Sequence, residues 1–195
     1  MTGSLSHGPP ERAYQQMDKS KLSDRYVAAV IVAGTLCVLG ALVNIDTARI
    51  DFYLVLIAVF TIAVGSRATV QIPRFKSHVS VSDTFIFLVF LLYGGEFAIL
   101  LAAIEAMASS WRFCNRKITV FFNSATMAVS TTVVVIVLRL FGRYVENTFD
   151  GRAFFWDNQI VALSLIALTQ FLVNTALAST QASLKENIPA WETWK

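Results

Sequence analysis

Residues 79–106, VSVSDTFIFLVFLLYGGEFAILLAAIEA, decide how this chain is built. The stretch opens with a strand-like alternation and then stays apolar for longer than a soluble helix needs. It carries Gly94, Gly95 and Glu96 in its middle and Glu105 near its end. Taken as one helix from Asp83 to Ser110, its 28 residues extend roughly 42 Å at 1.5 Å each. A membrane crossing takes about 20 residues. The stretch is therefore too long for one upright crossing and short for two.

Composition sets the membrane context. Of 195 residues, 55% are hydrophobic and only 15% are charged, against roughly 25% charged in soluble domains. Mean hydropathy is +0.59. The expected fold class is an all-α, polytopic membrane bundle. The net charge of +3 is small, and no basic stripe interleaves with aromatics, which argues against nucleic-acid binding. The expected surroundings are a lipid bilayer, crossed several times.

Other apolar segments flank the central stretch: Tyr26 to Val43, Phe52 to Val64, Ile118 to Leu140, and Phe154 or Ile160 to about Ala178. If the central stretch turns back at Gly94-Gly95, the chain crosses six times and both ends share one side. Twelve basic residues then lie on that side: Arg12, Lys19, Lys21, Arg25, Arg67, Arg74, Lys76, Arg112, Arg116, Lys117, Lys185 and Lys195. The other side holds Arg49, Arg139, Arg143 and Arg152, mixed with acids. The excess of Lys and Arg marks the cytoplasmic side. A single crossing would move the Arg112–Lys117 loop outside and spoil the pattern. Six crossings with cytoplasmic ends are thus expected. The expected organisation is a disordered tail over 1–24, a membrane module over 25–180 and a cytoplasmic connector over 181–195, leading towards a further, missing part.

Local signals mark the helix ends. Ser80 or Ser82 suits a cap for the third helix, with Asp83 in its first turn. Gly142, between Arg139 and Arg143, suits a C-terminus for the fifth. Trp111, Trp156, Trp191 and Trp194 fall near expected interfaces. Ala29, Ala33, Cys37 and Ala41 form a small-residue ladder on the first helix, of the kind that lets backbones approach closely. Ala29, Ala33, Ala41, Gly94 and Gly95 are accordingly the expected packing positions.

Glu105 is the sharpest candidate for chemistry, because intramembrane carboxylates are costly and usually functional. It lies on a face rich in small residues, with Ala98, Ala102, Ala106 and Ser109. Two alternatives stand: a functional, ligand-binding acid, or a carboxylate near the cytoplasmic end, snorkelling or paired with Arg112 or Arg116. Asn123, Thr126, Ser130 and Thr131 share one side of the fifth helix. Gln170 and Asn174 share a face of the sixth. These polar faces either satisfy one another or line a small-molecule pocket, giving Glu105, Asn123, Ser130, Gln170 and Asn174 as the candidate ligand set. Cys37 and Cys114 have no metal or disulfide spacing. No catalytic motif occurs, and no metal or cofactor is implied.

The stretch IPRFKSHVSVSDTFIFLVFLLYGGEFAILLAAIEAMASSW, followed by RKITVFFNSATMAVS, resembles the multi-span N-terminal module of bacterial GGDEF and HD-GYP cyclic-di-GMP signalling proteins. The likeness covers Ile72 to Ser130. It implies a sensory or anchoring module for a cytoplasmic diguanylate cyclase or HD-type phosphohydrolase, within a dimer. No GGDEF or HD-GYP sequence occurs in the chain. The six-span layout is also similar to substrate-binding subunits of energy-coupling-factor vitamin importers, which implies the alternative of a transport subunit with a vitamin-like ligand.

Overall fold

A computed structural model describes residues 9–65, 69–71, 78–80, 82–148 and 159–186, with side chains over 21–64, 82–112, 114–142 and 160–185. Six α-helices account for most of it: α1 (Pro9–Asn44), α2 (Phe52–Gly65), α3 (Ser82–Tyr93), α4 (Gly95–Phe113), α5 (Lys117–Thr148) and α6 (Gln159–Glu186). A single 3₁₀ turn, Thr47–Arg49, links α1 to α2. Strands β1 (Thr69–Gln71) and β2 (His78–Ser80) pair antiparallel between α2 and α3, with Val70 opposite Val79. The alternation before Ser82 thus does make a short strand, a local departure from an all-helical reading.

The central stretch folds as a hairpin turned at Gly94. Its φ of 104° is open to glycine and strained for other residues. The Gly94 N–H still donates to the Phe90 carbonyl, 3.1 Å away, and closes the last turn of α3. Gly95 then starts α4. A Cβ there would lie 2.6 Å from a Val135 methyl on α5, so the turn also depends on a close approach at its second glycine.

α5 is the central element: α4, α1 and α6 all pack on it, while α2 packs on α3 and α4. The interfaces are built from small residues. Ala98 and Ala102 of α4 meet Leu54, Ile86 and Val89 of α2 and α3. Ile99 and Ala103 of α4 meet Ala41 of α1 and Ala128 of α5. In lipid no hydrophobic drive separates helix from solvent, so close backbone approach and dispersion hold such a bundle. The outer surface is apolar: Val43 is 85% exposed and Ile160 is 81% exposed. Three helical segments, Lys21–Asn44, Lys117–Gly142 and Ile160–Lys185, are long and apolar enough to cross a membrane. α2 and α3, of 14 and 12 residues, reach only about 20 Å each.

Several expectations are corrected. The tail expected to be disordered to residue 24 is helical from Pro9 onward. Proline is tolerated in the first turn, where its missing N–H has no partner to lose, so Pro9-Pro10 starts a helix rather than breaking one. Residues 1–8 lie outside the described residues. Gly142 does not end α5, which continues to Thr148. A glycine inside a helix costs about 1 kcal/mol but does not stop it unless the chain also turns left-handed. The expected module boundary at 180 falls inside α6, which continues to Glu186. The later connector, with Trp191 and Trp194, lies outside the described residues, as does Trp156.

The packing ladder on α1 is also re-assigned. Ala29 and Ala33 are exposed, while Ala41 is buried at 4% exposure. The close approach occurs at Gly34, where a Cβ would sit 2.5 Å from the Ala125 Cα of α5. Val27, Val30, Gly34 and Ala41, at spacings of three, four and seven, are the buried face. That face is turned by about one residue from the alanine ladder.

Candidate functional site

The hairpin brings α3's first turn against the C-terminal half of α4. Counted outward from Gly94, Ser82 is 12 residues back and Glu105 is 11 residues on. The two fall at the same height, and the Ser82 hydroxyl hydrogen-bonds the Glu105 carboxyl group. Both are enclosed, Ser82 at 0% exposure and Glu105 at 4%. Asp83 follows Ser82 in the same turn, close enough to act on Glu105 electrostatically. The first turn of α3 also supplies backbone N–H groups and the positive end of its dipole. A carboxylate, a hydroxyl, a second acid and a helix N-terminus therefore converge between α3 and α4. Glu105 thus has a hydrogen-bond partner within its own hairpin, Ser82.

The other candidate residues lie elsewhere. The Asn123 amide donates to the Ser110 hydroxyl across the α4–α5 interface at 2.9 Å. Beside it, Ser124 donates to the Ala103 carbonyl at 2.8 Å. Ser130, fully buried, donates within its own helix to the Met127 carbonyl at 3.1 Å. Gln170 reaches from α6 to α5, its amide donating to Thr131 Oγ1 at 3.5 Å and approaching Met127 Sδ at 3.8 Å. Asn174 is half-buried on α6. Glu105 shares no hydrogen bond with these four among the described residues. Two polar regions result: the Ser82–Glu105 contact under α3, and a seam joining α4, α5 and α6. Within the seam, Gln170 Oε1 and Thr126 Oγ1 are buried without a hydrogen-bond partner among the described residues.

The opposite end of the bundle carries contacts that sequence reasoning did not identify. Asp51 accepts from the Leu54 N–H at 2.8 Å and so caps α2. It also accepts from the Tyr93 hydroxyl at 2.7 Å. The Leu54 N–H first, and the Tyr93 hydroxyl second, hold the Asp51 carboxyl below the usual carboxylate range. Glu96, just past the turn, pairs with Arg139 of α5. Asp46 pairs with Arg49 at 3.2 Å. These contacts fasten the start of α2 to the end of α3, and the start of α4 to α5 at Arg139.

No protein-family model, no curated protein and no solved structure matches the chain.

Proposed function

We propose that the chain is the membrane-embedded module of a bacterial inner-membrane protein. In this reading it crosses six times with both ends in the cytoplasm, and it regulates a cytoplasmic signalling output domain of the diguanylate cyclase or HD-type phosphohydrolase kind. Support for the membrane placement comes from the three long apolar helices and the exposed apolar surface. Topology rests on the concentration of Lys and Arg at one end. The observation that carries the sensory reading is the burial of Glu105 against Ser82, at the start of a helix too short to cross alone.

That placement suits a switch. A proton, cation or small polar ligand taken up between α3 and α4 alters how closely the two helices seat. α4 joins α5 through the three residues 114–116, α5 packs on α6, and α6 leads to the C-terminal connector. A ligand shifts such an equilibrium only by its difference in affinity for the two arrangements.

The test is Glu105→Gln in the protein expressed from its full reading frame. The variant keeps the side chain's size, so insertion and folding are expected to match wild type, while the cyclic-dinucleotide output loses its response. Equal output in both proteins, or a reading frame encoding no output domain, refutes the sensory reading. The second reading, a substrate-binding subunit of a vitamin-type importer, is favoured by the unpartnered Gln170 Oε1 and Thr126 Oγ1 in the interhelical seam. It predicts thermal stabilisation of the purified chain by a vitamin, abolished by Gln170→Leu.

A further inference from the structure

The two ends of the bundle differ in how their charges are used. At the Gly94 end, Asp46 pairs with Arg49 and Glu96 with Arg139. At the other end, six cations lie where α4 and α6 end, α5 begins and α1 enters the bundle. Tyr26, next to Arg25, donates its hydroxyl to the Leu177 carbonyl of α6 at 3.0 Å, and its ring meets that of Phe122 of α5 at a tilt, centroids 6.3 Å apart. Asn123 reaches Ser110. Lys21 and Arg25 of α1, Arg112 of α4, Arg116 and Lys117 at the start of α5, and Lys185 of α6 therefore occupy one end. All six are exposed. Among the described side chains of 21–25, 110–117 and 185, Asp24 is the one acid.

Apolar side chains adjoin these cations in sequence. Leu22 follows Lys21 and is 52% exposed, Trp111 precedes Arg112 and is 61% exposed, and Ile118 follows Lys117 and is 55% exposed. Cations bordered by exposed leucine, tryptophan and isoleucine match an amphiphile, with an anionic head above an acyl chain. A free phosphate has no use for the apolar members.

We propose that this collar binds anionic phospholipid of the cytoplasmic leaflet, the headgroup phosphates lying among Lys21, Arg25, Arg116, Lys117 and Lys185 and the acyl chains along Leu22, Trp111 and Ile118. The proposal rests on the membrane reading above. Juxtamembrane cations each contribute about fivefold to affinity for anionic lipid at moderate ionic strength. Removing two lowers it on the order of 25-fold.

The test uses the full chain, purified in a neutral detergent and titrated with phosphatidylglycerol, phosphatidylcholine or inorganic phosphate. Retained lipid is read by native mass spectrometry and stabilisation by thermal melting. Phosphatidylglycerol is expected to be retained and to raise the melting temperature, and the other two are not. Arg116→Gln with Lys117→Gln, and separately Lys21→Gln with Arg25→Gln, are expected to weaken retention on the order of 25-fold. Arg49→Gln, at the opposite end, is expected to leave it unchanged. Equal retention of the two lipids, equal stabilisation by inorganic phosphate, or wild-type retention in both double variants overturns the proposal. A chain that stays monodisperse without detergent or lipid refutes the membrane reading itself, which separates the two failures.

Discussion

Gly34 and Gly40 sit six residues apart on α1, and the structure assigns them opposite responses to the same substitution. A Cβ added at Gly34 would lie 2.5 Å from both Cα and Cβ of Ala125, and 2.8 Å from its carbonyl oxygen. Ordinary contacts begin near 3.4 Å, so α1 and α5 must part by about 1 Å for Gly34→Ala to fit. Backbone atoms stand in the way, and no side-chain rotation relieves the clash. Overpacking of this kind costs about 1–3 kcal/mol. Replacing a helical glycine returns about 1 kcal/mol of propensity, leaving a net loss of up to about 2 kcal/mol. At Gly40 nothing lies within 4 Å, and Gly40→Ala collects the propensity gain alone. The assay is thermal or SDS-induced unfolding of the purified chain, comparing both variants with wild type under one protocol. Gly34→Ala is expected to melt below wild type and Gly40→Ala above it. Ala125→Gly combined with Gly34→Ala is expected to recover only a small part of the loss, since the Ala125 Cα and carbonyl oxygen still obstruct the added Cβ. Equal melting of the two single variants, or full recovery in the double, refutes the close backbone approach of α1 and α5.

At the Gly94 end, Tyr93→Phe and Asp51→Asn are both expected to lower the melting temperature, because each deletes the bond between α3 and the cap of α2. The Asp51 carboxyl is held below its ordinary value, so its stabilisation is complete above about pH 4, the unfolded value. It is lost as pH falls further, through the folded value. Melting of wild type and Asp51→Asn should converge in that acid range, and a difference that persists there argues against the assignment. Gln170→Met replaces a buried amide whose oxygen has no partner with an apolar side chain of similar length. The change also deletes the 3.5 Å bond from the Gln170 amide to Thr131, so loss and gain offset and unfolding is expected to shift by less than about 1 kcal/mol. A clear loss would show that Gln170 Oε1 is satisfied in the protein.

The hairpin was legible because two independent signals agreed: a Gly-Gly pair in a run too long for one crossing, and loop cations that alternate only if the chain turns there. The Ser82–Glu105 contact was equally available. Folding the stretch about Gly94 sets residues 12 before and 11 after it side by side, although Ser82 by its local pattern suits only a helix cap. The α1 face was misjudged because alanine and glycine both satisfy a small-residue pattern, and only tertiary contact tells Gly34 from Ala33. Gly142 misled in the same manner: a glycine flanked by arginines fits a helix end, but the apolar repeat carries α5 through it. The Tyr93–Asp51 and Glu96–Arg139 contacts join residues 42 and 43 apart. Their pairing follows from helix heights that no local pattern encodes.

The account depends most on the chain reversing at Gly94. In a Cys37→Ala background, the native Cys114 reports the α4–α5 turn, and Thr47→Cys reports the α1–α2 link. A membrane-impermeant maleimide applied to intact cells should label the cysteine at position 47 and leave Cys114 unlabelled until the membrane is broken. Labelling of both positions from outside would mean that residues 82–113 cross once, and would contradict both the hairpin and the meeting of Glu105 with Ser82.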